Sequence, residues 1–390
     1  MTHKAAHTGT MPPRRRGAAR WRLVAAAVAA AGLALAGPRV PGANAAPPTR
    51  LVLAHGASAG SHAETLLLKP WAQRMGALSG GRLAIALAPG AGAPATLARD
   101  LADGDIDLAW LPADAIYGAG SVMEVFELPF LGWPATATSQ AAMTLARRHR
   151  VSAPGLRAIL FHTDAPAAIH MRDGPVRRLE DLRGRRVHAP TRLLRDFLER
   201  AGADARGGPG QTPESVAAAL GAGALDGAVA SFARATPTGI LGHVRFHTLA
   251  GRPPRATAGR RPGLGTIVYA LVANADRLDR LTPEDRALLL NSADPALAET
   301  AGRIWDGLER LNRRAAHRAG QIFYALPDTE MRRWRRLAND TARGWIADAA
   351  ANGLDGAALI AEARRLISTY HALMADENPA RTRPARGKGG

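Results

Sequence analysis

The sequence has no cysteine, which removes both a disulfide framework and thiol chemistry. Aromatic residues make up only 5% of the 390 positions, too few for the stacking platforms that bind bases. Long apolar runs are also missing. The most apolar stretch, LVAAAVAAAGLALA from Leu23 to Ala36, falls short of the roughly 20 residues a membrane-spanning helix needs. Acids are outnumbered, 33 against 51 Lys and Arg, so the formal charge is +18. Much of that excess is arginine on amphipathic stretches such as MRRWRRLANDTARGW (Met331 to Trp345), opposite an apolar stripe. This is a solvated face and not a nucleic-acid patch.

The first 45 residues form a distinct segment. Arg14, Arg15, Arg16, Arg20 and Arg22 carry charge without an acid nearby, then comes the apolar run, then Ala43-Asn44-Ala45. A basic start, a short apolar middle and a small-x-small end define an export signal. We expect cleavage after Ala45, by the Sec route rather than twin-arginine, because Gly17 stands where a bulky apolar residue is usual. Losing its seven positive residues lowers the formal charge from +18 to +11. At the other end, residues 375–390 are expected to be disordered, since RTRPARGKGG offers no apolar anchor.

Strand and helix signals alternate through much of the remainder. Leu51–His55 reads as a strand, AETLLLKPWAQRMGALSGG as a helix ending at Gly80-Gly81, then RLAIALA, ATLARDLADG and DIDLAWL follow. That alternation predicts βαβ units and a largely parallel sheet. One pattern occurs twice: Leu101-x-x-Gly104-x-Ile-Asp107 before LAWL, and Leu220-x-x-Gly223-x-Leu-Asp226 before GAVA. In each, glycine ends a helix in the left-handed conformation and aspartate opens a buried strand. Two copies point to two similarly built α/β lobes, the alternative being one large sheet with two similar turns. After Asn274 the pattern is helical. Thr282-Pro283-Glu284-Asp285 starts a run that restarts at Pro295, and further helices are expected at Asp328–Ala351 and Asp355–Met374.

Gly56-Ala57-Ser58-Ala59-Gly60 is a literal G-x-S-x-G with His55 and His62 beside it. A nucleophile elbow needs an earlier strand to supply oxyanion donors, and an acid and histidine following in order. The chain after the export segment begins about ten residues before Gly56, and no later histidine has a triad context. A serine hydrolase using Ser58 is the weakest of the readings kept. GGPGQT (Gly207 to Thr212) and GAGALDG (Gly221 to Gly227) lack the strand-loop-helix order that cradles a dinucleotide, and no metal-ligand spacing occurs. No enzyme, cofactor or metal is expected.

The order of these segments resembles the periplasmic solute-binding subunits of tripartite ATP-independent periplasmic (TRAP) transporters, the DctP family. The likeness is carried by KPWAQRM, GGRL, L-x-x-G-D-I-D and ELPFLG in the first half. LEDLRGRRVHAPTRL, GALDGAV and VANADRLDRLTPEDRALL carry it in the second. It implies a type II-like periplasmic-binding-protein fold, with two α/β lobes, a cleft between them and C-terminal bracing helices. By that likeness lobe one spans 46–165 plus 253–293. Lobe two spans 166–252, with 294–374 packed on it. The protein would be periplasmic, capture a small organic acid and pass it to a TRAP membrane permease. A ligand sensor or scaffold on the same fold is the alternative, and no oligomeric state is implied.

The likeness also nominates ligand-binding residues. The turn from His55 to His62 would face the ligand, with Ser58 and His62 as polar wall residues. In D-L-x-G-x-x-x-R-x-P the family arginine clamps the ligand carboxylate; here Asp181-Leu182-x-Gly184 leads to His188 and Pro190. A second family arginine corresponds to a position near Ala167. Arg192 is expected to supply the missing positive charge, and Phe232 a packing wall.

Overall fold

The computed structural model describes residues 47–207, 211–250, 263–292 and 294–376. The export segment and nearly all of the C-terminal tail lie outside these residues.

Eleven strands among the described residues form two sheets. The first contains β1 (Thr49–His55), β2 (Leu83–Ala88), β3 (Leu108–Pro112) and β4 (Leu156–Thr163). The second contains β5 (Ala168–Met171), β6 (Arg186–His188), β7 (Asp204–Arg206), β8 (Gly227–Ala230) and β9 (Phe246–Leu249). β10 (Val268–Asn274) returns to the first sheet and β11 (Ile322–Ala325) to the second. The orders are β2-β1-β3-β10-β4 and β11-β9-β5-β8-β6-β7. Each sheet is the centre of one lobe of a two-lobed α/β fold.

The sheets are mixed rather than largely parallel. β10 runs antiparallel between β3 and β4, and β5 antiparallel between β8 and β9. These are strands placed after or before a lobe crossing, so they enter their sheets from the opposite end. β10 is buried along its whole length, which fits its apolar run VYALVA at the sheet centre.

The repeated sequence pattern is a structural repeat. Gly104 (φ 76°) and Gly223 (φ 73°) both sit in the left-handed region just past a helix. The following aspartates then do the same work in each lobe. Asp107 accepts the Val52 N–H of β1 at 2.6 Å and Asp226 accepts the Arg186 N–H of β6 at 2.8 Å. Each also pairs with an arginine, Arg277 or Arg186, at 2.7 and 2.6 Å. Each carboxylate thereby ties the start of one buried strand to its parallel neighbour.

The helical C-terminal third begins at the expected places: Thr282 caps Pro283–Asn291, and helices follow at Pro295–Arg318, Asp328–Ala351 and Gly356–Asp376. They do not all pack on lobe two. The helix Asp328–Ala351 does, through Trp334 against Phe197 and Thr341 on Asp196. The helix Gly356–Asp376 instead crosses back to Ala135–Arg148 of lobe one, where Tyr370 meets Thr144 at 2.7 Å and Glu362 meets Arg148 and His149 at 2.9 Å. Pro295–Arg318 touches both lobes, packing on Ala135–Arg148 and on Phe232–Ala235. Its Asp306 accepts the Ala135 and Thr136 N–H groups at 3.0 Å, satisfying the start of the facing helix.

This crossing depends on Gly302. A Cβ there would fall 2.4 Å from Thr136 Cα and 2.6 Å from the Ala135 carbonyl oxygen. Backbone cannot give way as a side-chain tip can. We expect Gly302→Ala to destabilise the protein by about 1–3 kcal/mol despite alanine's better helix propensity. Urea unfolding checks this, and an unchanged midpoint would contradict it.

Candidate functional site

A cleft opens where the two sheets meet, about 860 Å³ counting the space continuous with solvent. Lobe one contributes the turn after β1, the Gly92–Leu97 segment and the ends of β3 and β10. Lobe two contributes residues 211–214 and 233–238, and Trp305 comes from the long helix touching both. The small residues after β1 allow a close approach of chain to chain. A Cβ on Gly56 would stand 2.7 Å from the Gly92 carbonyl oxygen. Ser58 lies on the exposed rim of that turn and His62 lines the cleft. No histidine among the described residues hydrogen-bonds the Ser58 hydroxyl, and His55 is wholly buried.

One wall is aromatic because three adjacent strands present rings on the same side. Trp110 on β3 stacks on Tyr269 of β10 at 4.3 Å and 3°, and Tyr269 stacks on His162 of β4 at 5.5 Å. Trp305 continues the row, 6.2 Å from His162. Apart from this wall, Leu97, Leu111 and Ala233 make the cleft mostly apolar.

Besides Glu214, which is exposed, two charged groups interrupt it. Arg234 follows the strand GAVA by way of Ser231, whose hydroxyl caps the short helix by accepting the Arg234 N–H at 3.1 Å. The guanidinium donates to the Tyr269 hydroxyl, and no carboxylate among the described residues is hydrogen-bonded to it. The second is Asp164, at the end of β4, which accepts the Ser231 hydroxyl at 2.9 and 3.0 Å. Burial pushes Asp164 up to about 6 against the pull of Arg234 and Ser231. Burial likewise raises Tyr269 to about 12, so its hydroxyl stays protonated.

Beyond Arg234 lies a more polar chamber of about 870 Å³, lined by His188, Arg192, Arg195 and Gln211. His188 does not provide a cation there. Burial, and then the neighbouring charge of Arg234, lower it to about 4, and its Nδ1 has no partner. Arg192 is charged but engaged. It grips Glu124 of lobe one through two bonds, 2.8 and 3.0 Å, and Asp348 at 2.7 Å. Phe232 is not a cleft wall: it is fully buried in lobe two, edge-on to His170 at 4.8 Å and stacked on Phe323 at 5.5 Å.

Of the nominated residues, the structure brings Ser58 and His62 to the aromatic cleft, and His188 and Arg192 to the polar chamber. Arg234, Asp164, Tyr269, Trp110 and Trp305 were missed. Arg234 had a legible signal, a lone arginine in the apolar run AVASFARA directly after a buried strand. The others gave none, because a ring on β3 meets one on β10 only after the chain has crossed lobes twice. Among the described residues no group of three or more His, Asp or Glu is arranged to hold a metal ion.

Residues 53–346 match the family model DctP, described as "Bacterial extracellular solute-binding protein, family 7". The chain belongs to this family. Solved structures of similar shape include a marine metagenome TRAP solute-binding protein specific for aromatic acids, in complex with metahydroxyphenylacetate. It is 28% identical, covers 82% of this chain and 99% of its own, and has a TM-score of 0.75. A TRAP solute-binding protein from Rhodoferax ferrireducens with copurified benzoate is 26% identical, with coverage of 84% and 100% and a TM-score of 0.74. The outer membrane transporter protein TsaT of Comamonas testosteroni is 23% identical over 295 residues, which is 75% of this chain and 83% of that protein. The DctP-family fold and the transport role of these relatives leave the G-x-S-x-G turn a part of a binding cleft. This DctP-family chain is a solute-binding protein and not an enzyme.

Proposed function

We propose that the cleft captures a small aromatic carboxylate and that the protein hands it to a TRAP-type membrane permease. The observation that carries this reading is Arg234, a guanidinium with no hydrogen-bonded carboxylate among the described residues, in a mostly apolar, ring-walled cleft between two lobes. A guanidinium binds a carboxylate through a planar fork, and stacked rings accept a flat apolar body. Arg234 thus takes the anchoring role that the family resemblance gave to His188, which is neutral above about pH 4. His62 and Ser58 border the ligand's outer side, His188 lines the polar chamber as a neutral ring, and Arg192 ties the lobes together. The relatives that bind benzoate and metahydroxyphenylacetate support an aromatic acid in particular. Export by the Sec route with cleavage after Ala45, and closure of lobes 46–165 plus 253–293 and 166–252 about the bound acid, complete the proposal.

Calorimetric titration with benzoate, phenylacetate, succinate and glucuronate tests it. Benzoate or phenylacetate is expected to bind in the micromolar range or tighter, and the two aliphatic acids at least tenfold more weakly. Preference for succinate or glucuronate would overturn the aromatic assignment.

A further inference from the structure

The aromatic cleft holds a donor and an acceptor that a bare aryl carboxylate does not use. The acceptor is Asp164, which is 4% exposed yet borders the cleft. Its oxygens receive the Ser231 hydroxyl at 2.9 and 3.0 Å and the Ala165 N–H at 2.6 Å. An ionised carboxylate has about four acceptor positions, so capacity remains. Arg234 acts on it through charge without a hydrogen bond.

The donor comes from a conflict around His162. Trp110 directs its indole N–H at Nε2 from 2.9 Å and Trp305 directs its own at Nδ1 from 3.2 Å. A neutral imidazole accepts at one nitrogen only. Burial lowers His162 to about 4, so the ring is neutral in any ordinary buffer. The Thr163 carbonyl oxygen lies 3.4 Å from Nδ1, which places the proton there and leaves Nε2 for Trp110. The Trp305 N–H then faces another N–H and is left without an acceptor. Trp305 lines the same cleft as Asp164, and its ring abuts the residue two positions before it.

Resting on the reading of the cleft given above, we infer that the solute is a hydroxylated aromatic acid whose hydroxyl is recognised by Asp164 and Trp305. The hydroxyl donates its proton to the Asp164 carboxylate and accepts the Trp305 indole N–H. A hydroxyl is both donor and acceptor, which matches the surplus of one of each. An ammonium cannot accept and a methoxy group cannot donate.

The experiment compares phenylacetate with its 3-hydroxy and 3-methoxy derivatives, and with mandelate, by calorimetry on the wild-type protein, Asp164→Ala and Trp305→Phe. In the wild type at least one hydroxylated acid is expected to bind about tenfold or more tightly than phenylacetate, with the methoxy compound no better than phenylacetate. Asp164→Ala should collapse that ratio to near one, whatever its effect on phenylacetate itself. Trp305→Phe, which keeps the ring and loses only the N–H, should reduce the ratio about threefold or more and serves if Asp164→Ala does not fold. Equal binding of phenylacetate and both hydroxylated acids would overturn the hydroxyl reading alone. So would a methoxy compound that matches the hydroxyl, or a ratio unmoved in both variants. Failure of every aromatic acid to bind would overturn the reading of the cleft and this inference with it.

Discussion

Arg234→Met is expected to weaken binding of the carboxylate ligand by about a hundredfold or more. A desolvated charge pair typically costs 2–5 kcal/mol when one partner is truncated, and each 1.4 kcal/mol is about tenfold. The loss should sit at the high end because the cleft offers no substitute. Arg192 is held by Glu124 and Asp348, and His188 is neutral. Methionine keeps the apolar stem and removes the fork, so packing against the wall is largely preserved. Arg234→Lys retains the charge without the planar geometry and should fall in between. Calorimetry with the ligand found by titration reads the affinity, and circular dichroism confirms that the fold is intact. An affinity within about threefold of wild type would remove Arg234 from its proposed place as anchor.

The stability that four buried histidines carry is expected to fall by roughly 8 kcal/mol in total between pH 7.5 and pH 5. Burial lowers His162, His188 and His247 to about 4 and His170 to about 3. In the unfolded chain each titrates near 6.5. Between about 6.5 and 4 protons therefore bind the unfolded chain and not the folded one. The stability is complete above 6.5 and is lost as pH drops through that window, by about 2 kcal/mol per histidine at pH 5. Buried carboxyl groups oppose it. Burial raises Asp164 to about 6 and Glu309 to about 7, and holds Glu127, Asp107, Asp114 and Asp306 above their ordinary values, and such groups favour the folded state as pH falls. Asp164 and Glu309 together return roughly 3–4 kcal/mol at pH 5. Urea unfolding of the wild type and of His170→Gln at several pH values isolates the histidine share. A pH profile unchanged in the variant would mean that the histidine is not buried as described.

How much of this could be seen in the sequence depended on the range of the interaction. The twofold L-x-x-G-x-Φ-D pattern, the cap at Thr282 and the restart at Pro295 were all legible, since each is decided by a few consecutive residues. Gly104 and Gly223 adopt the positive φ the pattern required. The return of Gly356–Asp376 to lobe one was not legible, because Ile360, Ala363 and Ile367 describe an apolar face without naming what covers it. The site followed the same division. Ser58 and His62 sit on a local turn, and the structure places that turn at the cleft. The resemblance led to His188 for the anchor, whereas the anchor proposed above is Arg234 on a different turn. Similarly, Phe232 belongs to the core because the helix that begins there points its first residue inward, at Phe323 and His170. Only the assembled lobes could distinguish these neighbours.

The position of β10 has a consequence for the order in which the protein can be built. Its two partners, β3 and β4, are separated by a gap that only β10 fills, and β10 follows the five strands of lobe two from β5 to β9. A chain emerging from its N-terminus thus carries two unpaired strand edges for about 100 residues, some 5–20 s at typical synthesis rates. Exposed edges of apolar strands recruit other chains. Lobe two interrupts lobe one but awaits β11 to finish its own sheet, so neither lobe is complete until nearly the whole chain is present. Folding should therefore be a late, concerted event.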